Sequence, residues 1–378
     1  MQPTHKYLSN LTTLRGAAAI WVVVFHFQVL VCLFVLPQQS LLIEKGYLMV
    51  DLFFIMSGFI ICHVYQQSFQ AGITIQNFKK FVVARFARIY PLHFFTLIFI
   101  IILVAAGHGW NMIDDPKAIP ANILLLHSLG INKVFTWNVP SWSISAEWWA
   151  YMVFPVLAVF IYRRKGLAMM ALGLFVVLAY MAIMYWLPRH DPFDPTAIVP
   201  HDLNATFDYG FLRGLAGFIA GMLLYKAYEA GIGDRFFQND LTALLLIIIT
   251  VLCMHFGVND FFYIILFIAL VYVFSLNNGK LHAVCNARVL QYLGKISYSI
   301  YLSSMFLFLF VALGIKKLPG VIYTEHSHTA GFWTGLGYCI AFIIIHIGIS
   351  SLTYYKIEKP CRKYINAKWG KETMPVYA

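Results

Sequence analysis

Apolar runs of roughly 17–25 residues recur along this chain from residue 11 to about residue 356. Each is long enough to cross a hydrocarbon core of about 30 Å as a helix. In lipid a backbone amide finds no water, so a single apolar run of this length satisfies its own amides only as a helix. Charged residues are 11% of the chain, against about 25% in a soluble domain, which excludes a water-soluble globular fold. With no long hydrophilic stretch between the runs, residues 1–378 form a single integral-membrane domain.

The runs lie near residues 12–35, 46–65, 89–106, 143–162, 167–187, 208–228, 241–256, 260–277, 297–315 and 333–356. The expected fold is therefore an all-α polytopic membrane protein with about ten transmembrane helices. Segment 119–130 is apolar but too short to cross, and reads as re-entrant or interfacial. The first run lacks a small-x-small cleavage site and holds both Arg15 and His26, so it is expected to be retained as a span. Most of the 27 lysines and arginines fall on one side of this arrangement, including Lys79, Lys80, Arg85, Arg88, Arg163, Arg164 and the tail after Lys356. The positive-inside bias then puts both termini in the cytoplasm. A net charge of +11 split between apolar runs does not make the continuous basic face that nucleic acid needs, so the expected surroundings are membrane lipid and no nucleic acid. The six cysteines show no C-x-x-C spacing, and neither a disulfide nor a metal site is expected.

An ionisable side chain inside a span costs a few kcal/mol or more unless it is paired or hydrated, which makes each one a functional candidate. Four stand out: His26, Asp51, Glu147 and Arg213. His26 lies eleven residues beyond Arg15, about 16 Å along a helix axis, which places it in the outer half. Asp51 and Glu147 each lie within about 8 Å of the outer boundary of an inward-running span. A histidine taking a proton from a hydroxyl gains from a carboxylate that fixes its tautomer, so His26 with Asp51 or Glu147 is a candidate general base. A satisfied interior histidine is the plain alternative, and it is the expected state of His63, His93, His255 and His346.

On the inner side Lys79, Lys80, Arg85 and Arg88 lie in one inner loop, and Arg85 and Arg88, spaced i, i+3 and so on one side of a helix, form a candidate anion site to which Arg15 can add a contact. Ordinary positive-inside topology and headgroup binding would place the same charges. The stretch Pro140 to Trp149 combines hydroxyls, an acid and aromatics, and suits either interfacial anchoring or a sugar-stacking pocket. On that second reading Trp142, Ser143, Ser145 and Arg213 are candidate acceptor-binding residues, together with the outer loop carrying Asp191, Asp194, His201 and Asp202.

Taken as a set, these residues resemble the integral-membrane acyltransferase family 3, whose bacterial members modify surface glycans. The resemblance rests on Arg15-x10-His26, Gly46 to Phe59, Arg85-Phe-Ala-Arg88-Ile-Tyr-Pro91, Ser141-Trp-Ser-Ile-Ser-Ala-Glu147, Phe211-Leu-Arg213 to Gly221, Gly294-x-Ile-Ser297-Tyr-Ser-Ile-Tyr301 and Ile357-Glu-Lys-Pro360, in that order over nearly the whole chain. It implies ten core helices in a bacterial inner membrane, no resident cofactor, and a donor substrate, acyl-CoA with acetyl as the expected group, entering from the cytosol. It further implies transfer to a hydroxyl of a carbohydrate or glycolipid, with His26 catalytic and Arg15, Arg85 and Arg88 serving the donor. One departure is visible: family members continue after the Tyr-Leu pair with an aromatic and a histidine, where this chain has Ser303-Ser304. Direct attack by the acceptor is the leading mechanism, ahead of an acyl-enzyme on His26, Ser143 or Ser145. A proton-coupled transporter and an inactive scaffold in a polysaccharide pathway are the alternatives read from the same polar residues.

Overall fold

The structure is a computed structural model that describes residues 7–107, 115–188, 202–314, 318–323 and 328–370. The helices in chain order are α1 (Ser9–Leu30), α2 (Met49–Tyr65), α3 (Ile75–Ala105), α4 (Ile119–Ile123), α5 (Trp142–Met181), α6 (Gly210–Glu229), α7 (Asp234–Phe237), α8 (Asp240–Phe256), α9 (Asp260–Leu276), α10 (Lys280–Cys285), α11 (Arg288–Lys295), α12 (Ser297–Gly314), α13 (Phe332–Thr353) and α14 (Lys359–Trp369). A two-stranded antiparallel hairpin, Val321–Tyr323 with His328–Ala330, sits between α12 and α13. Outer-loop residues Asp191, Asp194 and His201 lie outside the described residues.

The chain is a multi-pass membrane protein whose described residues are mostly helical. Among the described residues six helices are long and apolar enough to cross a membrane, or seven if α11 and α12, bent by 66°, make one span. The difference from ten runs lies in α6, which carries Arg213, Lys226 and Glu229, and in α8 and α9, which have 17 residues each.

Two boundaries differ from those expected. First, α3 starts at Ile75, where the Thr74 side chain caps the amide of Asn77, so Arg85 and Arg88 lie on a helix inside the bundle and not in a loop. Their charges are tolerated there because tyrosine rings and Glu358 surround them. Second, α5 is helical for 40 residues, about 60 Å if straight. Yet the Trp142 ring lies 5.4 Å from the Arg213 guanidinium, and the Tyr180 hydroxyl would lie 3.0 Å from a Cβ on Gly217, one turn away on α6. Meanwhile Tyr162 meets Gln70 and Lys226 at the opposite end of α6. The segment therefore folds back near Arg163–Gly166 and does the work of two spans.

At the centre α2 and α6 touch backbone to backbone. A Cβ on Gly58 would come within 1.9 Å of the Phe218 carbonyl oxygen, and one on Gly221 within 2.0 Å of the Ile55 oxygen. Apolar burial against lipid gives little driving force, so close contact through small residues is what holds such helices together. The segment after α4 is tucked into the bundle, with Leu125, His127, Ser128 and Asn138 all buried, which bears out a non-crossing element at 119–130. Leu125 and Trp137 take up positive φ (56° and 55°) on the way.

Candidate functional site

α1, α2, α3, α5 and α12 surround a cavity of about 110 Å³ that is open on one side. It runs from Val50 to Ile61 on α2, about 16 Å along the helix axis. Arg15, Arg85, Arg88, Ser297 and Tyr298 line it toward one end, and Phe53, Ser143 and Tyr301 toward the other. The three arginines picked out in the sequence thus share one cavity, with Glu147 as the acid among its lining residues.

Their states differ. Arg88 is ion-paired to Glu358 and lies 5.1 Å from the Tyr298 ring centre. Glu358 in turn accepts from Ser299 Oγ at 2.8 Å. Arg85, only 5% exposed, donates from Nη2 to the Tyr65 hydroxyl at 2.8 Å and rests against the Tyr65 and Tyr151 rings. Arg15 donates from Nη2 to the Gly294 carbonyl at 3.3 Å. The Nε atoms of Arg15 and Arg85 are buried without a hydrogen-bond partner among the described residues. Buried cations that meet rings and carbonyls in place of a carboxylate keep most of their desolvation cost. An arriving anion removes that cost.

Asp51 and Arg213 are the opposite case. Both are fully buried, and Asp51 accepts from Arg213 Nε at 3.0 Å and from Nη2 at 2.5 Å. The remaining Arg213 donors reach the Ala205 and Tyr47 carbonyls at 3.1 Å each. Asp51 is thus paired with Arg213 and not with His26, and each guanidinium nitrogen of Arg213 already has an acceptor within the protein. The pair ties α2 and α6 to the segments before them.

Glu147 accepts from Ser57 Oγ at 2.7 Å and from the Tyr151 hydroxyl at 2.5 Å. It faces the cavity and has no hydrogen bond to His26. Ser143 Oγ donates to the Tyr301 hydroxyl at 2.8 Å, and that hydroxyl donates to the Pro140 carbonyl at 3.0 Å, which puts both at the cavity wall.

Residues 8–354 match the family described as "Acyltransferase domain". The chain belongs to this acyltransferase family. A protein of Rhizobium radiobacter named "Protein 2 in picA locus" is 29% identical over 153 residues, covering 36% of this chain and 75% of that protein. No solved structure matches the chain.

Within this acyltransferase, His26 is set apart from the cavity. Its ring lies 6.1 Å from that of Phe308, seven residues and about 10 Å beyond Tyr301 on α12. Its Nδ1 is buried without a partner among the described residues. The ring contact of Phe53 with Tyr301, 6.0 Å between centres, marks the end of the cavity on that side. Two acceptor candidates are instead committed to the acyltransferase scaffold. Ser145, fully buried, donates to the Leu125 carbonyl at 2.6 Å and meets Ser128 Oγ at 2.8 Å. Trp142 is 6% exposed, wedged between Arg213 and Phe54. Ser304, the second serine of the Ser303-Ser304 departure, is buried and donates to the Tyr301 carbonyl, a helix-internal role. His93 and His346 each meet a carbonyl through Nε2, those of Asn122 and Ile300, while their Nδ1 atoms are buried without a partner among the described residues, so each ring is only half satisfied.

Ser297, Tyr298 and Glu358 stand within the motifs that carry the resemblance but were given no role in the site, and Tyr65 and Tyr151 were not singled out at all. Glu358 carried a further signal, since an acid amid the basic tail from Lys356 to Lys363 needs a reason to be there. Tyr65 and Tyr151 carried none, because 22 tyrosines occur in the chain and nothing local separates these two from the rest.

Proposed function

We propose that this acyltransferase moves an acyl group, acetyl in the simplest case, from cytosolic acyl-CoA to a hydroxyl of a carbohydrate or glycolipid. The observation that carries the reading is a single cavity lined by Arg15, Arg85 and Arg88, two of which have no carboxylate partner among the described residues. Arginine forks suit the phosphates of CoA, which would dock at that end. The thioester would then point along the cavity toward Ser143 and Tyr301. On this reading ten helices cross a bacterial inner membrane, both termini face the cytoplasm, and the acceptor arrives from the opposite side.

His26 is the proposed base. It takes the proton of the acceptor hydroxyl, the oxygen attacks the thioester carbonyl, and the carbon–sulfur bond breaks. The departing thiolate then takes the proton back, leaving an ester and free CoA. Because the cavity ends near Phe53 and Tyr301, those two side chains must part for the thioester to reach His26. A proton-coupled carrier fits less well, since Asp51 and Arg213 neutralise each other and leave no relay through the far end.

The test is transfer of label from radiolabelled acetyl-CoA, supplied to the cytosolic face of inside-out vesicles, into the glycolipid and polysaccharide fraction. Label with wild type and none with His26→Ala supports the reading. Equal label in both removes His26 as the base, and no label with wild type removes acyl-CoA as the donor.

A further inference from the structure

The break between α11 and α12 lies on the same cavity as Arg15, Arg85 and Arg88. α11 ends at Lys295, the axis turns by 66°, and α12 starts at Ser297 on the cavity wall. The break is pressed against α1 through glycine. A Cβ on Gly16 would lie 2.6 Å from the Gly294 amide nitrogen, and one on Gly294 would lie 2.0 Å from the Thr12 oxygen. That contact brings Arg15, the neighbour of Gly16, to the end of α11, where it donates to the Gly294 carbonyl. The same break thus supplies an acceptor that holds Arg15 and, three residues on, a helix N-terminus facing the cavity.

The serines of α12 separate cleanly. Ser299 donates to Glu358, Ser303 to the Ser299 carbonyl at 2.6 Å, and Ser304 to the Tyr301 carbonyl at 2.9 Å. Ser297 is 1% exposed, lines the cavity, and its Oγ has no hydrogen-bond partner among the described residues. A buried hydroxyl without a partner forfeits a hydrogen bond that nearly every such group makes. The Nε atoms of Arg15 and Arg85, on the same cavity, are in the same condition. Guanidinium groups only donate, so a group that satisfies all three must accept from each of them. The N-terminus of an 18-residue helix adds partial positive charge and amides without intrahelical acceptors. A tetrahedral oxyanion meets every one of these requirements.

We infer that Ser297 and the first turn of α12 form a phosphate-binding element that, with Arg15 and Arg85, takes one phosphoryl group of a diphosphate ester. The inference extends the acyl-CoA reading, which names the donor's diphosphate as the occupant. A phosphate on a lipid headgroup has the same chemistry, and the test separates the two.

Detergent-purified full-length protein is titrated with acetyl-CoA, with inorganic pyrophosphate and with phosphatidic acid micelles, comparing wild type, Ser297→Ala, Ser297→Thr and Ser297→Cys. Loss of one charge-assisted hydrogen bond corresponds to about a tenfold rise in Kd. That rise is expected for acetyl-CoA and pyrophosphate in Ser297→Ala, with a smaller one in Ser297→Cys and recovery in Ser297→Thr, which keeps the hydroxyl. Melting temperatures without ligand should match, and the threonine and cysteine proteins keep the comparison open if the alanine protein does not fold. Pyrophosphate and acetyl-CoA binding as tightly to Ser297→Ala as to wild type overturns the inference and leaves the acyl-CoA reading standing. Ser297-dependent binding of pyrophosphate or phosphatidic acid without binding of acetyl-CoA supports the phosphate element and overturns the acyl-CoA reading. Binding of none of the three to wild type overturns both.

Discussion

The two ends of this bundle solve the problem of buried charge in opposite ways. Around Asp51 and Arg213 each of the three guanidinium nitrogens meets an acceptor, and both side chains are fully excluded from solvent. Around Arg15, Arg85 and Ser297 three polar atoms are buried without partners, and a cavity opens beside them. Saturated charge is scaffold, because nothing is left over to bind. Unsaturated charge beside a cavity is a site, because its cost is recovered only when an acceptor arrives.

That contrast predicts which substitutions damage the fold and which damage binding. The largest effect belongs to the saturated end. Asp51→Ala leaves an uncompensated buried guanidinium, expected to cost about 3–5 kcal/mol, and should appear as a large fall in melting temperature or yield of purified protein. The double variant Asp51→Leu with Arg213→Met should recover much of that loss, since an apolar pair of similar volume is tolerated where half a pair is not. Failure of the double variant to recover would mean that the pair does more than hold α2 to α6.

Next in size is the open end. Arg85→Ala removes the cation and its link to Tyr65, so acetyl-CoA should bind more weakly by about 1.5–3 kcal/mol, while the melting temperature changes little. Glu358→Gln sharpens the comparison. It releases Arg88 from its ion pair, so the structural role of Glu358 shows as lower stability, and any rise in donor affinity reports the freed guanidinium. The smallest effect is expected at Ser145→Ala, which removes a buried hydroxyl bonded to the Leu125 carbonyl and to the Ser128 hydroxyl and amide and should cost about 1–1.5 kcal/mol of stability with KM for the acceptor unchanged. A raised acceptor KM there would restore Ser145 to the binding site.

How much of this was legible in sequence follows from what a helical pattern encodes. Apolar runs and axial depth are readable, so the membrane class, the run at 119–130 and the gathering of Arg15, Arg85 and Arg88 toward one side came through. Azimuth around each helix axis is not readable. His26 and Asp51 were put at one depth, which is a statement about height, and they face different neighbours: Phe308 for one and Arg213 for the other. The Asp51–Arg213 pair was nonetheless within reach, since an acid and a cation near the same boundary of two spans relieve each other before either serves a third group. The start of α3 was misplaced because four basic residues between 79 and 88 look like loop in a membrane chain. Their cover, the rings of Tyr65, Tyr151 and Tyr298 together with Glu358, comes from helices distant in sequence. Ser297 escaped for a similar reason: serine is common at helix starts, and only the cavity beside it separates it from Ser299.

The claim that unsaturated charge marks the donor site is tested most directly by equilibrium binding of tritiated acetyl-CoA to detergent-purified wild type and Arg85→Ala, each with its melting temperature measured in the same buffer. The account predicts affinity at least tenfold weaker for Arg85→Ala at a closely similar melting temperature. Equal affinity in the two folded proteins would contradict it.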